Sequence, residues 1–298
     1  MATVEAEIAP PADDRWSARI LRGVAKAPIQ FLLLFVALLW LVPTFGIFLT
    51  SMLAPADFSS EGWWQVFSEP SKLTWENYEA IFQNDALMSS LVTTVWIALG
   101  GTILPIIVAA LAGYAFAWLE FPGRDWLFIL VIALLVVPLQ MALIPIFSLY
   151  NTLGIFDTVL SLVLFHTAFG LPFAIFLLRN FFIGIPKDLM EAARIDGASE
   201  IRIFVRLILP LGLPAIASLA IFQFLWTWND LLVALVYLGG TQSVAPLTVA
   251  VSNMVSSLGR NWQVLTAAAF VTTALPLVLF FSLQRYFVRG ITAGSVKG

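Results

Sequence analysis

Long apolar segments, with a charged residue only at Asp230, follow one another along this chain, separated by short stretches that hold nearly all of its charges. Six such segments lie at 29–52, between Asp85 and Glu120, between Asp125 and Asp157, and at 158–178, 211–238 and 262–283. Each holds at least the roughly 20 apolar residues that a helix needs to cross a bilayer. The pattern therefore predicts an all-α polytopic membrane protein with six transmembrane helices.

Glycine and proline predict irregularities in two of these spans. A glycine pair at 100–101 and Pro105 lie inside the second span, so we expect a tilted or broken helix that extends beyond the hydrocarbon. Pro138 and Pro145 lie inside the third span, which is expected to end in a short helix or turn at 151–155. The segment 1–27 has no apolar periodicity and is predicted to be a flexible tail, whereas 28–298 would form the membrane domain.

Composition supports the membrane class and excludes several chemistries. Of the 298 residues, 60% are hydrophobic and 11% are charged, with a mean hydropathy of +0.95, which is foreign to soluble globular domains. Cysteine is absent and His166 is the only histidine, so no metal site or thiol chemistry is predicted. The chain also lacks the Gly-Lys-Ser/Thr sequence of nucleotide-binding loops. We therefore expect that it binds no cofactor and that another subunit hydrolyses any ATP involved.

The lysines and arginines predict the orientation of the spans. One side of the membrane would hold Arg15, Arg19, Arg22, Lys26, Arg124, Arg179, Lys187, Arg194, Arg202, Arg206, Arg285, Arg289 and Lys297. The other side would hold only Lys72 and Arg260. Because cytoplasmic loops carry the excess of positive residues, both termini and the segment 186–206 are predicted to be cytoplasmic.

The external segment, 53–85, combines acidic side chains with aromatic rings. Its acidic residues include Glu61, Glu69, Glu76 and Glu79, and its rings include Trp63, Trp64, Phe67, Trp75 and Tyr78. Tryptophan and tyrosine concentrate at membrane interfaces, which favours a short amphipathic cap on the outer leaflet. The alternative is a contact surface for an external partner.

The segment 186–214 is unusually charged for a connection between two spans. Its charged residues are Lys187, Asp188, Glu191, Arg194, Asp196, Glu200, Arg202 and Arg206. Pro186 suits the first turn of a helix, and Gly197 interrupts the helical pattern. We predict two short surface helices joined at Gly197, with Pro210 and Pro214 marking the start of the fifth span. Such a segment presents a docking surface to a soluble partner.

The spacing within this segment resembles the EAA loop of binding-protein-dependent ABC importer permeases. Glu191, Ala192 and Ala193 are followed after three residues by Gly197, and after nine more by Leu207-x-Leu209-Pro210. The family usually has isoleucine where this chain has Leu207, which is a mild apolar exchange.

The resemblance extends over about 87–298. Within this range the chain is similar to the carbohydrate branch of that family. It includes Asn229-Asp230 after Trp226-Thr227-Trp228, Ala267-Ala268-Ala269, Gln284-Arg285-Tyr286-Phe287-Val288-Arg289-Gly290 and Gly294-Ser295-Val296-Lys297-Gly298. These sequences look like the second, maltose-type G permease of maltose and α-glucoside importers. The sequence Gly62-Trp63-Trp64 is more similar to the α-glucoside members.

The resemblance implies a type I ABC importer permease fold in a prokaryotic cytoplasmic membrane. It implies a core permease region at 86–289, a coupling loop at 186–210 and a cytoplasmic C-terminal tail at 285–298. This chain would form a heterodimer with a homologous second permease, and nucleic acid is not an expected partner. Two ATPase subunits would bind ATP and Mg below the membrane, and an external sugar-binding protein would deliver the sugar from above.

Residue roles in the coupling loop also follow from the resemblance. Closure of the ATPases would move the coupling helix and switch the spans between inward-open and outward-open states. Glu191 would pair with a basic group of the ATPase, and Ala192 and Ala193 would permit close packing. Gly197 would supply the bend. Asp196 and Pro210 complete the set of residues assigned to ATPase coupling.

Polar side chains inside the spans are candidates for the sugar pathway, because such groups usually face a cavity or a partner helix. They are Gln140, Gln223, Trp226, Thr227, Asn229 and Asp230. Four of them, Gln223, Trp226, Thr227 and Asp230, have the spacing of a single helical stripe. For Asn229 and Asp230 the alternative is that they brace a helix junction, and for Gln140 it is a hydrogen bond between helices.

Two other classes of protein remain as alternatives. A gradient-driven secondary carrier would need several intramembrane charges, whereas Asp230 is the only acid inside an apolar run. An intramembrane enzyme would need a catalytic set, and no catalytic residue is predicted here. His166 is interpreted as a packed donor between helices, because no acid accompanies it on its own span.

Overall fold

The computed structural model of the protein describes residues 13–54, 62–238, 244–256 and 262–293. Eleven helices in these ranges are numbered here in chain order. They are α1 (Asp13–Ser51), α2 (Glu76–Phe82), α3 (Asp85–Trp118), α4 (Arg124–Ala133), α5 (Leu139–Thr152), α6 (Val159–Ile183), α7 (Lys187–Ile195), α8 (Glu200–Trp228), α9 (Leu232–Tyr237), α10 (Leu247–Ser256) and α11 (Trp262–Ala293). Short 3-10 turns cover Trp63–Phe67, Pro70–Lys72 and Leu134–Val136.

The all-α membrane architecture is confirmed in the described part of the chain. Five helical segments are long and apolar enough to cross a bilayer: Ala27–Ser51 of α1, α3, α6, α8 and Trp262–Gln284 of α11. The remaining span, the third along the chain, is the pair Arg124–Val136 and Leu139–Thr152, with a bend of 102° between its two helices. The span count is therefore six when this bent pair is taken as one span.

The third span breaks at Val137 and Pro138, upstream of the predicted turn. Pro138 has no N–H to donate and pushes the residue before it towards extended backbone, and Val137 has ψ 114°. The expected turn near 151–155 is also present, because α5 ends at Thr152 and Gly154 adopts φ +70°. Only the second of these two breaks was predicted from the sequence.

The second span is continuous, so of the two expected forms, a tilted or a broken helix, the broken one does not occur. Helix α3 runs through Pro105 without a break over 34 residues. The glycine pair serves close packing instead: a Cβ on Gly100 would lie 2.8 Å from Val163, and one on Gly101 would lie 2.9 Å from Thr227. Small residues let transmembrane helices approach one another closely. Helices α3 and α6 accordingly form the most extensive helix pair of the molecule.

The fifth span differs from the sequence prediction at both ends. Helix α8 begins at Glu200 rather than near 211, and it ends at Trp228 rather than near 238. A π turn covers Phe204–Ile208, just before Pro210. In a regular α-helix the ring of Pro210 would clash with the carbonyl of Arg206. The wider π turn lies at this position and allows the helix to continue through Pro210.

The termini lie partly outside the described residues. Helix α1 begins at Asp13, so the backbone between 13 and 27 is helical and continuous with the first span. Residues 1–12 of the predicted flexible tail are outside the described ranges, as are residues 294–298 of the predicted C-terminal tail. Helix α11 continues through the start of that tail to Ala293. The functional roles of both tails stay predictions.

The described part of the segment predicted to be external folds back onto the C-terminal end of the first span. The Asn77 amide donates to the backbone carbonyls of Ser51 and Leu53 at 2.9 and 2.8 Å, and Leu53 forms a β-bridge with Leu73. Large rings remain exposed, with Trp64 62% accessible. This arrangement is compatible with both interpretations of the segment, and residues 55–61 lie outside the description.

Candidate functional site

Helix α7 carries the Glu-Ala-Ala sequence and ends in a glycine-dependent turn. Pro186 occupies the N-cap position, and Gly197 adopts φ +74° just after the helix. The Gly197 N–H donates to the carbonyl of Arg194, and the Ala198 N–H donates to that of Ala193, both at 3.0 Å. These two bonds form a Schellman motif, which needs a residue with positive φ at the position of Gly197.

The outer face of α7 is available for docking. Glu191 and Ala192 are exposed, and Ile195 has 85% of its surface accessible. The opposite face holds Met190, which is fully buried among residues of α3, α6 and α8. An exposed isoleucine beside a small-residue helix face is a surface that a protein partner would cover.

The second predicted surface helix is not a separate element. Residues 200–207 form the first two turns of α8, so the fifth span reaches directly into the coupling loop. Ser199 caps this start by accepting a hydrogen bond from the N–H of Arg202 at 3.4 Å. Ile201, 78% accessible, and Val205, 51% accessible, extend the exposed apolar surface beyond α7. The loop therefore consists of one short helix followed by the end of a span.

An ion pair crosses the turn between α7 and α8. The Nε of Arg194 donates to Oε1 of Glu200 at 2.9 Å. This hydrogen bond raises the pKa of the Arg194 guanidinium further above its usual range, so the arginine stays charged at every physiological pH. Both charges are evident in the sequence, but their pairing was not predicted from it.

Two aromatic residues of α3 form hydrogen bonds with this ion pair, and neither was predicted from the sequence to do so. The Tyr114 hydroxyl donates to Oε2 of Glu200, and the Trp118 carbonyl accepts from Arg194 at 3.4 Å. The available signal was a Tyr and a Trp near one end of an apolar helix, a pattern shared with ordinary interfacial anchors.

The polar stripe proposed for the fifth span does not lie on one helix. Gln223, Trp226 and Thr227 belong to α8, whereas Asp230 follows the end of that helix at Trp228. Gln223 is buried, and its amide donates to the carbonyls of Gly101 and His166 at 2.9 and 3.2 Å. Both bonds join neighbouring helices, so Gln223 holds α8 against α3 and α6.

Trp226 and Asn229 are the members of the set that face outward from α8. Trp226 is 37% accessible, and its ring lies perpendicular to that of His166 at a centroid distance of 4.8 Å. Asn229 is exposed and donates to the carbonyl of Leu225 at 2.8 Å. An open indole face beside an amide is a combination that can contact the C–H face and the hydroxyls of a sugar.

Asp230 caps helix α9. Its carboxylate oxygens accept from the N–H groups of Val233 and Ala234 at 3.2 and 3.0 Å, and its carbonyl accepts from Thr248 at 2.6 Å. Its backbone partners are therefore those of a residue that braces a helix junction.

His166 faces Asp230 inside the membrane domain, a relation that the sequence analysis missed. The Nε2 of the fully buried His166 lies 3.5 Å from Oδ2 of Asp230, longer than a hydrogen bond. The acid comes from the following span, so a search along the span of His166 could not find it. The contact makes His166 part of the same polar group as Trp226 and Gln223.

Gln140 lies apart from that group. It is exposed in the first turn of α5, and among the described residues no hydrogen bond joins it to Gln223, Trp226 or Asp230. No cluster of three or more metal-ligating side chains occurs in the described ranges.

Known proteins resemble the chain in sequence and in fold. Residues 106–293 match the family described as binding-protein-dependent transport system inner membrane component. An osmoprotective compounds uptake permease of Synechocystis sp. is 52% identical over 91% of this chain and 92% of that protein. An α-glucoside transport system permease of Rhizobium meliloti is 52% identical over 77% of this chain and 62% of that protein.

A solved structure shares the fold. A chain of a bacterial ABC transporter involved in the import of the polysaccharide alginate superimposes with a TM-score of 0.74. The match covers 94% of this chain and 99% of that chain at 22% sequence identity. The type I importer permease fold expected from the coupling loop is thereby confirmed.

Proposed function

Because the chain belongs to the family of binding-protein-dependent transport system inner membrane components, we propose that it forms half of the pore of an ATP-driven importer for α-glucoside-like sugars. It is a carbohydrate ABC importer permease and a multi-pass membrane protein, and it performs no enzymatic step itself. The alternatives of a gradient-driven carrier and an intramembrane enzyme receive no support from its relatives.

The exposed coupling segment is the observation that carries this proposal. Helix α7 holds Glu191 and Ala192 outward and is anchored from behind by Met190, and a glycine turn leads directly into the fifth span. A surface helix joined to a span without an intervening flexible loop suits the transfer of movement from a soluble motor to the membrane domain.

The proposed assembly has four further components. A homologous second permease completes the pore, two ATPase subunits that bind ATP and Mg dock on α7 and its counterpart, and an external sugar-binding protein delivers the sugar. Both termini are proposed to be cytoplasmic. The excess of lysine and arginine on the side of α7 supports this orientation.

Trp226 and Asn229 are proposed to line the sugar pathway. Both are exposed while Gln223 and Thr227 are buried, and the His166 ring packs perpendicular to the indole of Trp226. Gln223 is assigned to helix packing because its amide bonds two backbone carbonyls. Asp230 is assigned to the α9 cap.

Transport by the purified complex tests the function. The chain is co-expressed with its permease and ATPase partners, placed in proteoliposomes and supplied with the sugar-binding protein. We expect ATP-dependent uptake of an α-linked disaccharide that other α-glucosides inhibit and that β-linked disaccharides and betaine-type osmolytes do not. Uptake driven by an ion gradient without ATP would contradict the proposal. Preference for small osmolytes over α-glucosides would retain the ABC function and reject the substrate class.

A further inference from the structure

Three side chains and the backbone carbonyl of Trp118 join α7 to the cytoplasmic ends of two spans. We propose that this cluster of Tyr114, Trp118, Arg194 and Glu200, called here the coupling clamp, fixes the orientation of α7 so that its displacement by the ATPase moves α3 and α8 together. The inference rests on the proposed function and adds positioning residues outside the Glu-Ala-Ala sequence.

Glu200 is the centre of the clamp. Its Oε1 accepts from Nε of Arg194 at 2.9 Å, and its Oε2 accepts from Nη2 of Arg194 at 3.5 Å and from the Tyr114 hydroxyl. One carboxylate at the start of α8 is thus bound from α7 on one side and from α3 on the other. These bonds connect three helices at a single group.

Trp118 extends the clamp to a further span. Its carbonyl accepts from Nη2 of Arg194 at 3.4 Å, and its indole N–H donates to the carbonyl of Phe182, on α6, at 3.1 Å. Tyr114 also packs its ring on Phe204 of α8 at a centroid distance of 5.2 Å. The guanidinium of Arg194 is therefore tied to α3 and α8 directly and to α6 through one residue.

The clamp supplies a directional restraint that the rest of α7 lacks. Met190 is the buried residue of this helix, and apolar burial holds a side chain in place without fixing the rotation of its helix. A guanidinium that forks onto a carboxylate fixes angles as well as distance. Without it, α7 can rock about Met190 and absorb the displacement that the ATPase imposes.

The clamp contributes to orientation more than to folding stability. The side chains of Arg194 and Glu200 are 41% and 43% exposed, and ion pairs this accessible stabilise folded proteins only slightly. Loss of the pair should therefore leave the protein folded and inserted. This property allows a positioning role to be separated from a structural one.

The test compares coupling in clamp variants of the assembled importer. Glu200→Gln and Arg194→Met are measured in proteoliposomes for recovered ATPase subunits, sugar-stimulated ATP hydrolysis and sugar uptake. We expect ATPase subunits at the unsubstituted level, and sugar taken up per ATP hydrolysed to fall about fivefold or more, the range of typical coupling between sites. Arg194→Lys should resemble Arg194→Met, because a lysine keeps the charge and loses the fork.

Two further variants serve as controls for the effect of the clamp on coupling. Glu120→Gln removes an exposed carboxylate just after α3 and outside the clamp, and it should leave the ratio of uptake to hydrolysis unchanged. Tyr114→Phe keeps the ring against Phe204 and removes one hydrogen bond. It should lower the ratio even if Glu200→Gln fails to fold.

Each contrary result has a distinct meaning. An unchanged ratio in Tyr114→Phe and Arg194→Met would overturn the clamp and leave the proposed function intact. Loss of ATPase subunits from the clamp variants would make these residues part of the docking surface, which also overturns the positioning role. Failure of the unsubstituted chain to recover an ATPase would overturn the proposed function together with the inference that rests on it.

Discussion

At the scale of single residues, the turn after α7 depends on Gly197. Its φ of +74° lies in the left-handed region, and a Cβ built there meets no atom within 4 Å. The cost of a substitution therefore comes from backbone conformation and not from a steric clash. For an ordinary L-residue the left-handed conformation costs roughly 1–2 kcal/mol.

Gly197→Val is expected to distort this turn and uncouple the importer. A β-branched residue is poorly suited to positive φ, so the variant should insert normally while sugar-stimulated ATP hydrolysis and uptake both fall. Gly197→Asn is the matched control, because asparagine tolerates the left-handed region. Equal activity of the valine and asparagine variants would contradict the role of this turn.

Trp226→Ala is expected to weaken sugar handling without affecting the ATPase. Removal of the exposed ring should raise the half-saturating sugar concentration roughly two- to tenfold, the equivalent of about 0.5–1.5 kcal/mol for an aromatic contact. Uptake titrations and co-purification of the ATPase measure the two effects. Trp126→Ala, which removes another exposed indole at the start of α4, is the control. Unaltered kinetics for Trp226→Ala would assign this residue to packing.

Asp230→Ala is expected to destabilise the junction between α8 and α9. The variant loses both acceptors of the α9 cap, and loss of an N-terminal cap typically costs about 1 kcal/mol. Thermal unfolding in detergent should show a lower midpoint, with a smaller loss for Asp230→Asn because asparagine keeps one acceptor oxygen. If Asp230→Asn keeps its stability but loses sugar affinity, the residue acts on the substrate and the structural assignment is wrong.

At the scale of elements, α8 is the helix that connects the two functional regions. Its first residues lie in the coupling loop, and its other end carries the candidate sugar contacts. The π turn at Phe204–Ile208 lies between them and sets the rotation of one end relative to the other. π turns are frequent at functional sites, and here Pro210 explains the position of the turn.

Pro210→Ala is expected to close the π turn into regular α-helix. The variant should unfold at the same or a higher temperature, because alanine removes the conflict with the preceding carbonyl. Closure would rotate the start of α8 by about 100° for each residue absorbed, so uptake per ATP should fall. Pro214→Ala, four residues further along the same helix, is the comparison. Normal coupling in Pro210→Ala would show that the turn is not needed.

At the scale of the whole molecule, packing is uneven between spans. Helices α3, α6 and α8 bury much of their surface against one another, whereas α1 leaves most of its apolar side chains exposed. Lipid and the proposed second permease are the surroundings that can cover such a surface in the membrane. The core of the chain is thus built around the three spans that the coupling clamp reaches.

The orientation is expected to appear in cysteine labelling, for which this cysteine-free chain is well suited. Ser71→Cys, in the external segment, should react with a membrane-impermeant maleimide in intact cells. Glu120→Cys should react only after the cells are permeabilised. Both positions are exposed in the structure, so burial does not account for a difference. The reverse pattern would invert the proposed topology.

The sequence by itself determined the class, most of the spans and the coupling segment. Uninterrupted hydropathy, the distribution of lysine and arginine, and the spacing from Glu191 to Pro210 are local properties of the chain. These properties follow from the thickness of the bilayer and the geometry of a helix, and they do not depend on contacts with other elements. The turn at Gly197 belongs to the same category, since only local backbone geometry requires positive φ there.

Tertiary structure decided which faces of the helices meet, and with them the details of both functional regions. The contact of His166 with Asp230 and the bond of Tyr114 to Glu200, across 86 positions of sequence, join different helices. Asp230 also lies after the end of α8 and packs against neighbouring elements, so it leaves the predicted stripe. The pattern of apolar residues does not predict such pairings, because many rotations of a helix about its axis are consistent with the same pattern. Only close packing against the neighbouring helices selects one rotation.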